Sequence, residues 1–398
     1  MRIKRVMAAV FALAAAGPGF GQGLEFSGLL DSTVTLGAGA GEGPDFFYGL
    51  EEYANLRMSA KLRDGITFYG ALNLIAAAGS PAVTAAALGA ENAALPGLAP
   101  SSFAAGENYA GALEPERLYF RFNGDYLDFE GGLLRIALGY GQVFGPSDFL
   151  NPKNPLVPKA RPRAVLGGAL SAYPLDSLKL RLFGAAPKDP LSREGGGGLT
   201  GVSGDWHWDR ASLQALYAFE SPKEGSQFGI HRYGLSLKAD PEVGLVADLL
   251  YTYNREADRG IEGLAFSGGF DYSLPGGAWY MLAEYLYNGA SSSTSVQSGG
   301  LTGFSGEHFL YTALRWLYND YTTLTLACLS GFSDTSFSPI LSAEHELFQG
   351  FTLSLSGRLP MDRSLFSGNG SRGELGPLPP GAAQGSRFIL TADARLRF

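Results

Sequence analysis

The chain has 398 residues, a formal net charge of −8 and only 17% charged residues, whereas an ordinary soluble domain carries about 25%. Glycine (56 residues) and aromatics (12%) are abundant, and the mean hydropathy lies near zero. The negative balance argues against nucleic acid as a partner. The single cysteine, Cys328, excludes an internal disulfide.

At the N-terminus a basic stretch, Met1 to Arg5, precedes an apolar run from Val6 to Ala16. That is the length and charge of a secretory signal, and it is too short to span a bilayer. Residues 1–21 are expected to be the signal, cut after Gly21, with Ala16 as the alternative. No cysteine follows to carry a lipid. Residues 22–398 contain no linker and are expected to form one domain. No later stretch offers 18 consecutive apolar residues. Ala71 to Ala90 comes closest, but Asn73 and Gly79-Ser80-Pro81 break it. It reads as a strand ending in an alanine-rich loop.

From Tyr53 onward the chain alternates. Ala54, Leu56, Met58, Ala60 and Leu62 interleave with Asn55, Arg57, Ser59 and Lys61. Leu118, Phe120 and Phe122 interleave with Arg117, Tyr119 and Arg121. The same pattern recurs at Leu178, Leu180 and Leu182, and again at Phe351, Leu353 and Leu355. A period of two means strands with one oily and one wet face. Eight tight turns punctuate them, at Asp64-Gly65, Asn123-Gly124, Asp176-Ser177, Asp209-Arg210, Asp240-Pro241, Gly276-Gly277, Asn319-Asp320 and Gln349-Gly350. These residue types tolerate turn dihedrals. Eight turns alternating with nine longer connections predict eighteen strands, with sixteen as the alternative. An Arg facing lipid costs about 2–4 kcal/mol at mid-bilayer, so the charged phase must face water. A closed antiparallel transmembrane β-barrel puts that water in its lumen and pairs every backbone group. Aromatics near the turns, Tyr126, Trp206, Trp208, Tyr318, Tyr321, Phe348, Phe351 and Phe398, read as an interfacial girdle.

One strand breaks phase. Leu127 and Phe129 are odd, whereas Leu134, Ile136 and Leu138 are even. A bulge at Gly131-Gly132 is expected to restore the oily face. The third long connection follows, from Gln142 to Arg163, with five prolines between 146 and 162. Proline stiffens a segment and removes donors. The segment carries Lys153, Lys159, Arg161 and Arg163 against Asp148. In position it resembles the third loop of general porins, which folds into the barrel and narrows it. Arg135, Gly139 and Asn151-Pro152 also resemble, over about thirty residues, a pattern seen in porin-like proteins that include alginate-export barrels. That resemblance implies an outer-membrane channel more than a cargo. Arg117, Arg121 and Arg135 lie on the adjoining wet phase with Arg57, Lys61, Lys179, Arg181, Arg232 and Lys238. Later strands place Asp248, Glu284, Glu344 and Glu346 there. A basic wall opposite an acidic wall would set a field across the lumen.

The patch Gly167 to Ala172 is small-sided, and serves either as a trimer contact or as a bed for the third loop. His207, His231, His308 and His345 have no metal-ligand spacing. The Ser203 and Ser305 glycine fragments lack a full nucleophile elbow. No cofactor, metal site or enzyme activity is expected.

The chain ends with Phe388, Leu390, Ala392, Ala394, Leu396 and Phe398 in one phase, and Thr391, Asp393, Arg395 and Arg397 in the other. A terminal strand ending in an aromatic resembles the closing strand of bacterial outer-membrane β-barrels, where it carries the assembly signal. The resemblance implies outer-membrane lipid and the barrel assembly machinery as partners, and a homotrimer as the oligomer to test. The expected function is passive diffusion of small hydrophilic solutes or ions, with an anion bias. A substrate-specific transporter and a structural or adhesive surface barrel are the alternatives.

Overall fold

The computed structural model describes residues 23–38, 46–88, 101–151, 161, 163–186, 197–222, 227–255, 263–289, 306–332, 336–361 and 388–398. The expected signal, Lys153 and Lys159 lie outside the described residues. The strands are β1 (Leu24–Ala38), β2 (Phe46–Arg63), β3 (Ile66–Gly79), β4 (Ser101–Ala105), β5 (Tyr109–Asn123), β6 (Leu127–Leu134), β7 (Val165–Leu175), β8 (Leu178–Ala185), β9 (Leu199–His207) and β10 (Ala211–Glu220). They continue as β11 (Ile230–Ala239), β12 (Gly244–Asn254), β13 (Leu264–Ser273), β14 (Trp279–Asn288), β15 (His308–Asn319), β16 (Thr322–Gly331), β17 (Phe337–Phe348), β18 (Phe351–Arg358) and β19 (Phe388–Arg397). One short helix, α1 (Pro81–Ala87), follows β3.

Every strand pairs antiparallel with its neighbours. β1 closes the ring on β19 in register from Leu29↔Arg397 to Ala38↔Phe388. β3 pairs directly with β5, so β4 stands outside the ring count and eighteen strands close the barrel. The eight tight turns fall where the sequence places them. The start of β1 and the end of β19 lie at the turn end of the barrel, since Leu24 pairs with Ala60 and Leu29 with Arg397.

The side chains sort inside out. Leu56, Leu118, Leu180 and Leu341 stand exposed on the outer wall, while Asn55, Asn73, Asp248 and Glu284 are fully buried within. Only a chain solvated by lipid outside and water inside tolerates that inversion. Aromatic rings band the outer wall at the turn end, with Trp206 stacked on Trp208, Trp279 on Trp316 and Phe348 on Phe351. A second band at the loop end joins Tyr217 and Tyr253 to His231, Tyr233 to Tyr217, and Tyr285 and Tyr287 to His308. Such rings suit the interface, where one end of the side chain is wet.

Phe398 completes the closure. Its N–H donates to the Gly28 carbonyl at 3.1 Å, and the Gly28 N–H donates to the Phe398 carbonyl at 2.7 Å. Inside the same seam, Arg395 pairs with the buried Asp31 at 2.8 Å.

Two features differ from the sequence reading. The β5–β6 and β6–β7 ladders run through Gly131 and Gly132 with no shift of register, so no bulge forms there. Leu127 and Phe129 face lipid, while Leu134, Ile136 and Leu138 turn inward and are buried. Their evenness marks a chain leaving the wall, not a strand regaining phase. β6 therefore stops early, and β4 pairs with the stretch of β5 that β6 leaves uncovered, which satisfies an otherwise open edge. The second difference is α1, which occupies part of the expected alanine-rich loop. Ser80 and Pro81 begin it: Val83 and Thr84 N–H groups donate to the Ser80 carbonyl, and Pro81 takes the first helical position, where no N–H is needed.

Candidate functional site

The described part of the connection from β6 to β7, residues 135–151, crosses the lumen. Its first half lies against the inner faces of β7 to β10, where Leu134, Ile136 and Leu138 pack on Ala169, Phe183, Leu199 and Leu216. Ala169 belongs to the small-residue patch, which thus beds this connection. Further on, Phe144 reaches the far side and is buried on Leu286, Phe309 and Leu329 of β14, β15 and β16. Burying one such side chain stabilises by about 1.5–3 kcal/mol, so apolar contacts pin both limbs.

Polar groups of the wall hold the tip. A non-strand backbone inside a barrel has N–H groups with no ladder partner, and each must find an acceptor. The Glu284 carboxylate takes three: Gln142, Val143 and Phe144 donate to it at 3.2, 2.8 and 3.0 Å. Gly139 N–H donates to Gln214 at 2.7 Å, and Ser147 N–H to Asp248 at 3.4 Å. The Gln142 amide donates to Asp271 and the Tyr140 hydroxyl to Asp205. Burial, reinforced by the Asp205 carboxylate, raises the Tyr140 phenol above its ordinary range and keeps it a donor. The connection also braces itself. Asp148 accepts from the Leu138 N–H at 3.2 Å and from the Asn151 amide at 2.9 Å, and Asn151 donates to the Ile136 carbonyl. Two glycines permit this closeness. Gly139 has φ +71°, and a Cβ there would sit 2.6 Å from Asp248 Oδ2. A Cβ on Gly141 would sit 1.7 Å from the Phe144 carbonyl oxygen.

The second in-folded connection carries α1. Ala87 packs on Ile75, Ala77, Ala110 and Ala112 of β3 and β5, and Val83 packs on Phe47 and Ile389. Beneath it a register shift at Ala71/Leu72 leaves Glu116 opposite no residue of β3. As a result Glu114, Glu116 and Arg117 all point inward. Glu116 accepts from the Asn55 amide and pairs with Arg117 at 3.3 Å. Glu114 accepts from the Asn73 amide and pairs with Arg161 at 3.2 Å.

Arg117 and Arg121 share the inner face of β5, and Arg121 pairs with Glu130 at 2.8 Å. Arg135 lies at the root of the third connection, 3.9 Å from Asp148. The side chains of Arg117, Arg121 and Arg135 are 34%, 40% and 35% exposed although they face inward, so they meet water inside the barrel. Arg161 is buried against Glu114, and Arg163 is half-buried beside the start of β7. The acids Asp248 and Glu284 do face inward, but the connection covers them and they serve its backbone. Glu114 and Glu116 were not anticipated. Pro115 was their signal, because proline inside a strand pattern marks a bulge or an edge.

No family profile and no curated protein sequence matches the chain. Solved structures do. OccK2 (OpdF) of Pseudomonas aeruginosa aligns with TM-score 0.58 and 11% identity over 96% of this chain and 99% of its own. A BenF-like porin from Pseudomonas fluorescens Pf-5 gives 0.58 and 10% over 96% and 100%. The outer-membrane protein opdK of Pseudomonas aeruginosa gives 0.57 and 10% over 96% and 100%. At such identity the likeness is one of fold: the chain is a closed eighteen-stranded barrel with the fold of those porins.

Proposed function

We propose that the protein is an outer-membrane channel for passive diffusion of small hydrophilic solutes, with the segment from Gln142 to Arg163 constricting its lumen and an anion bias. The observation that carries the reading is the inward set Arg117, Arg121 and Arg135. Each is about a third exposed within a wall whose outer face is oily. Fixed cations in a narrow, partly desolvated passage attract anions more strongly than in bulk water. Lys153, Lys159 and Arg163 belong to the same proposed cationic lining. The likeness of residues 135–152 to alginate-export barrels supports a channel and names no cargo. Recognition of Phe398 by assembly machinery, assembly into a homotrimer and the absence of catalysis complete the reading.

Purified barrel in a planar bilayer tests it. Steady conductance is expected, with a reversal potential in a salt gradient on the anion side. Changing Arg117, Arg121 and Arg135 together to Gln moves that potential toward cations. The shift is larger at low salt, since the Debye length is about 10 Å at 0.1 M and about 3 Å at 1 M. A folded barrel that passes no current favours the structural or adhesive alternative. Current blocked by one cargo favours the substrate-specific transporter.

A further inference from the structure

Two connections turn into the lumen from different strands, and one side chain joins them. Arg161 is only 7% exposed. Its Nε lies 3.2 Å from Glu114 Oε2 on the inner wall. Its two terminal nitrogens donate to the Ala87 carbonyl at 3.5 and 3.4 Å. Ala87 is the last residue of α1, so this carbonyl is among the acceptors a helix end leaves without an intrahelical donor. Glu114 is available at that height because the Pro115-Glu116 irregularity shifts the register of β5.

The consequences separate cleanly. Electrically, the Arg161 guanidinium is paired and out of water, whereas Arg117, Arg121 and Arg135, also beside carboxylates, stay open to the water through which ions pass. Mechanically, it matters more. A helix of seven residues is not stable on its own. The buried contacts of α1 are largely alanines, with Val83 on Phe47 and Ile389. Its N-terminal half is tied through Ser80 to the Tyr48 backbone and through the Thr84 hydroxyl to the Glu107 carbonyl, and Arg161 adds the polar hold at its C-terminal end.

We infer that Arg161 is a positioning residue that clasps α1 to the third outer connection, through Glu114 and the Ala87 carbonyl. Arg161 thereby holds the C-terminal end of α1 against the inner wall of the lumen. The clasp rests on the channel reading only for its effect on permeation: solute size exclusion depends on it.

The test uses the full-length barrel in lipid, with Cys328→Ser and a reporter, Val83→Cys, on the buried face of α1. Folding is checked by heat-modifiable gel mobility. Breaking a buried pair by removing one partner is strongly destabilising, so Arg161→Gln should speed labelling of the reporter by a water-soluble maleimide about a hundredfold. Arg161→Lys, which keeps the charge but not the fork, should fall between. Glu114→Gln opens the same clasp from the wall side and serves if Arg161→Gln does not assemble. In bilayers both loosened variants should conduct more and admit larger neutral polymers, although one removes a cation and the other an anion. Reporter labelling as slow as in the parent in both the Arg161→Gln and Glu114→Gln variants overturns the clasp. A reversal potential that moves toward cations while size exclusion stays put also overturns it, and makes Arg161 a field-setting cation. If the parent carries no current but the reporter still opens, the clasp stands and the channel reading fails.

Discussion

Glu284 is the most exacting place to perturb the constriction. Its carboxylate is fully buried and accepts three consecutive backbone N–H groups at 2.8–3.2 Å. Hydrogen bonds to a charged acceptor contribute about 1.5–3 kcal/mol each, and three that share one carboxylate do not add fully. Glu284→Gln keeps a single carbonyl oxygen and turns an NH2 toward N–H donors. At least one donor is then left buried and unpaired, and the others lose the charge. We expect about 3 kcal/mol less free energy for local opening of the tip. Phe144 remains seated on Leu286, Phe309 and Leu329, which retains about 1.5–3 kcal/mol, so the tip should open more often without leaving the lumen. The assay is amide hydrogen exchange at Gln142, Val143 and Phe144, where 3 kcal/mol reads as roughly a hundredfold loss of protection. Amides of β14 itself, such as Ala283 and Tyr285, are ladder-bonded to β13 and β15 and should keep their protection. Unchanged exchange at the tip would refute the latch. Equal loss across β14 would show that Glu284 holds the wall instead.

Deleting Phe398 removes two backbone hydrogen bonds to Gly28 and the ring that covers it. Assembly in vivo should fall and unfolded chain should accumulate; undiminished heat-modifiable barrel would count against the terminal signal. Cysteines placed at Leu180 and Arg181, in a background lacking Cys328, should differ sharply toward a water-borne thiol reagent that enters the pore. Arg181 should label and Leu180 should not, and equal rates would sink the assigned orientation. Arg358 also faces inward but is 6% exposed, so a cysteine there should label more slowly than one at Arg181.

The barrel was legible in the sequence because its cause is local. A period of two, set against the cost of an Arg in lipid, determines strand, face and phase from adjacent residues. The turn residues at Asp64-Gly65, Asn123-Gly124 and the six later sites then count the strands. The closing strand could be named because the alternation from Phe388 to Phe398 needs no partner to be seen. What lies inside the barrel was another matter. Leu134, Ile136 and Leu138 carry the same apolar side chains whether they face lipid or a buried bed, and only the unshifted ladder through Gly131 and Gly132 tells the two apart. The inward acids were found, but their use was not, because Glu284 meets Val143 across 141 positions of sequence. Arg161 looked like one more loop cation until Glu114 and Ala87 were brought to it. Strand chemistry is written between neighbours two residues apart. The constriction is written between groups that only closure of the barrel brings together.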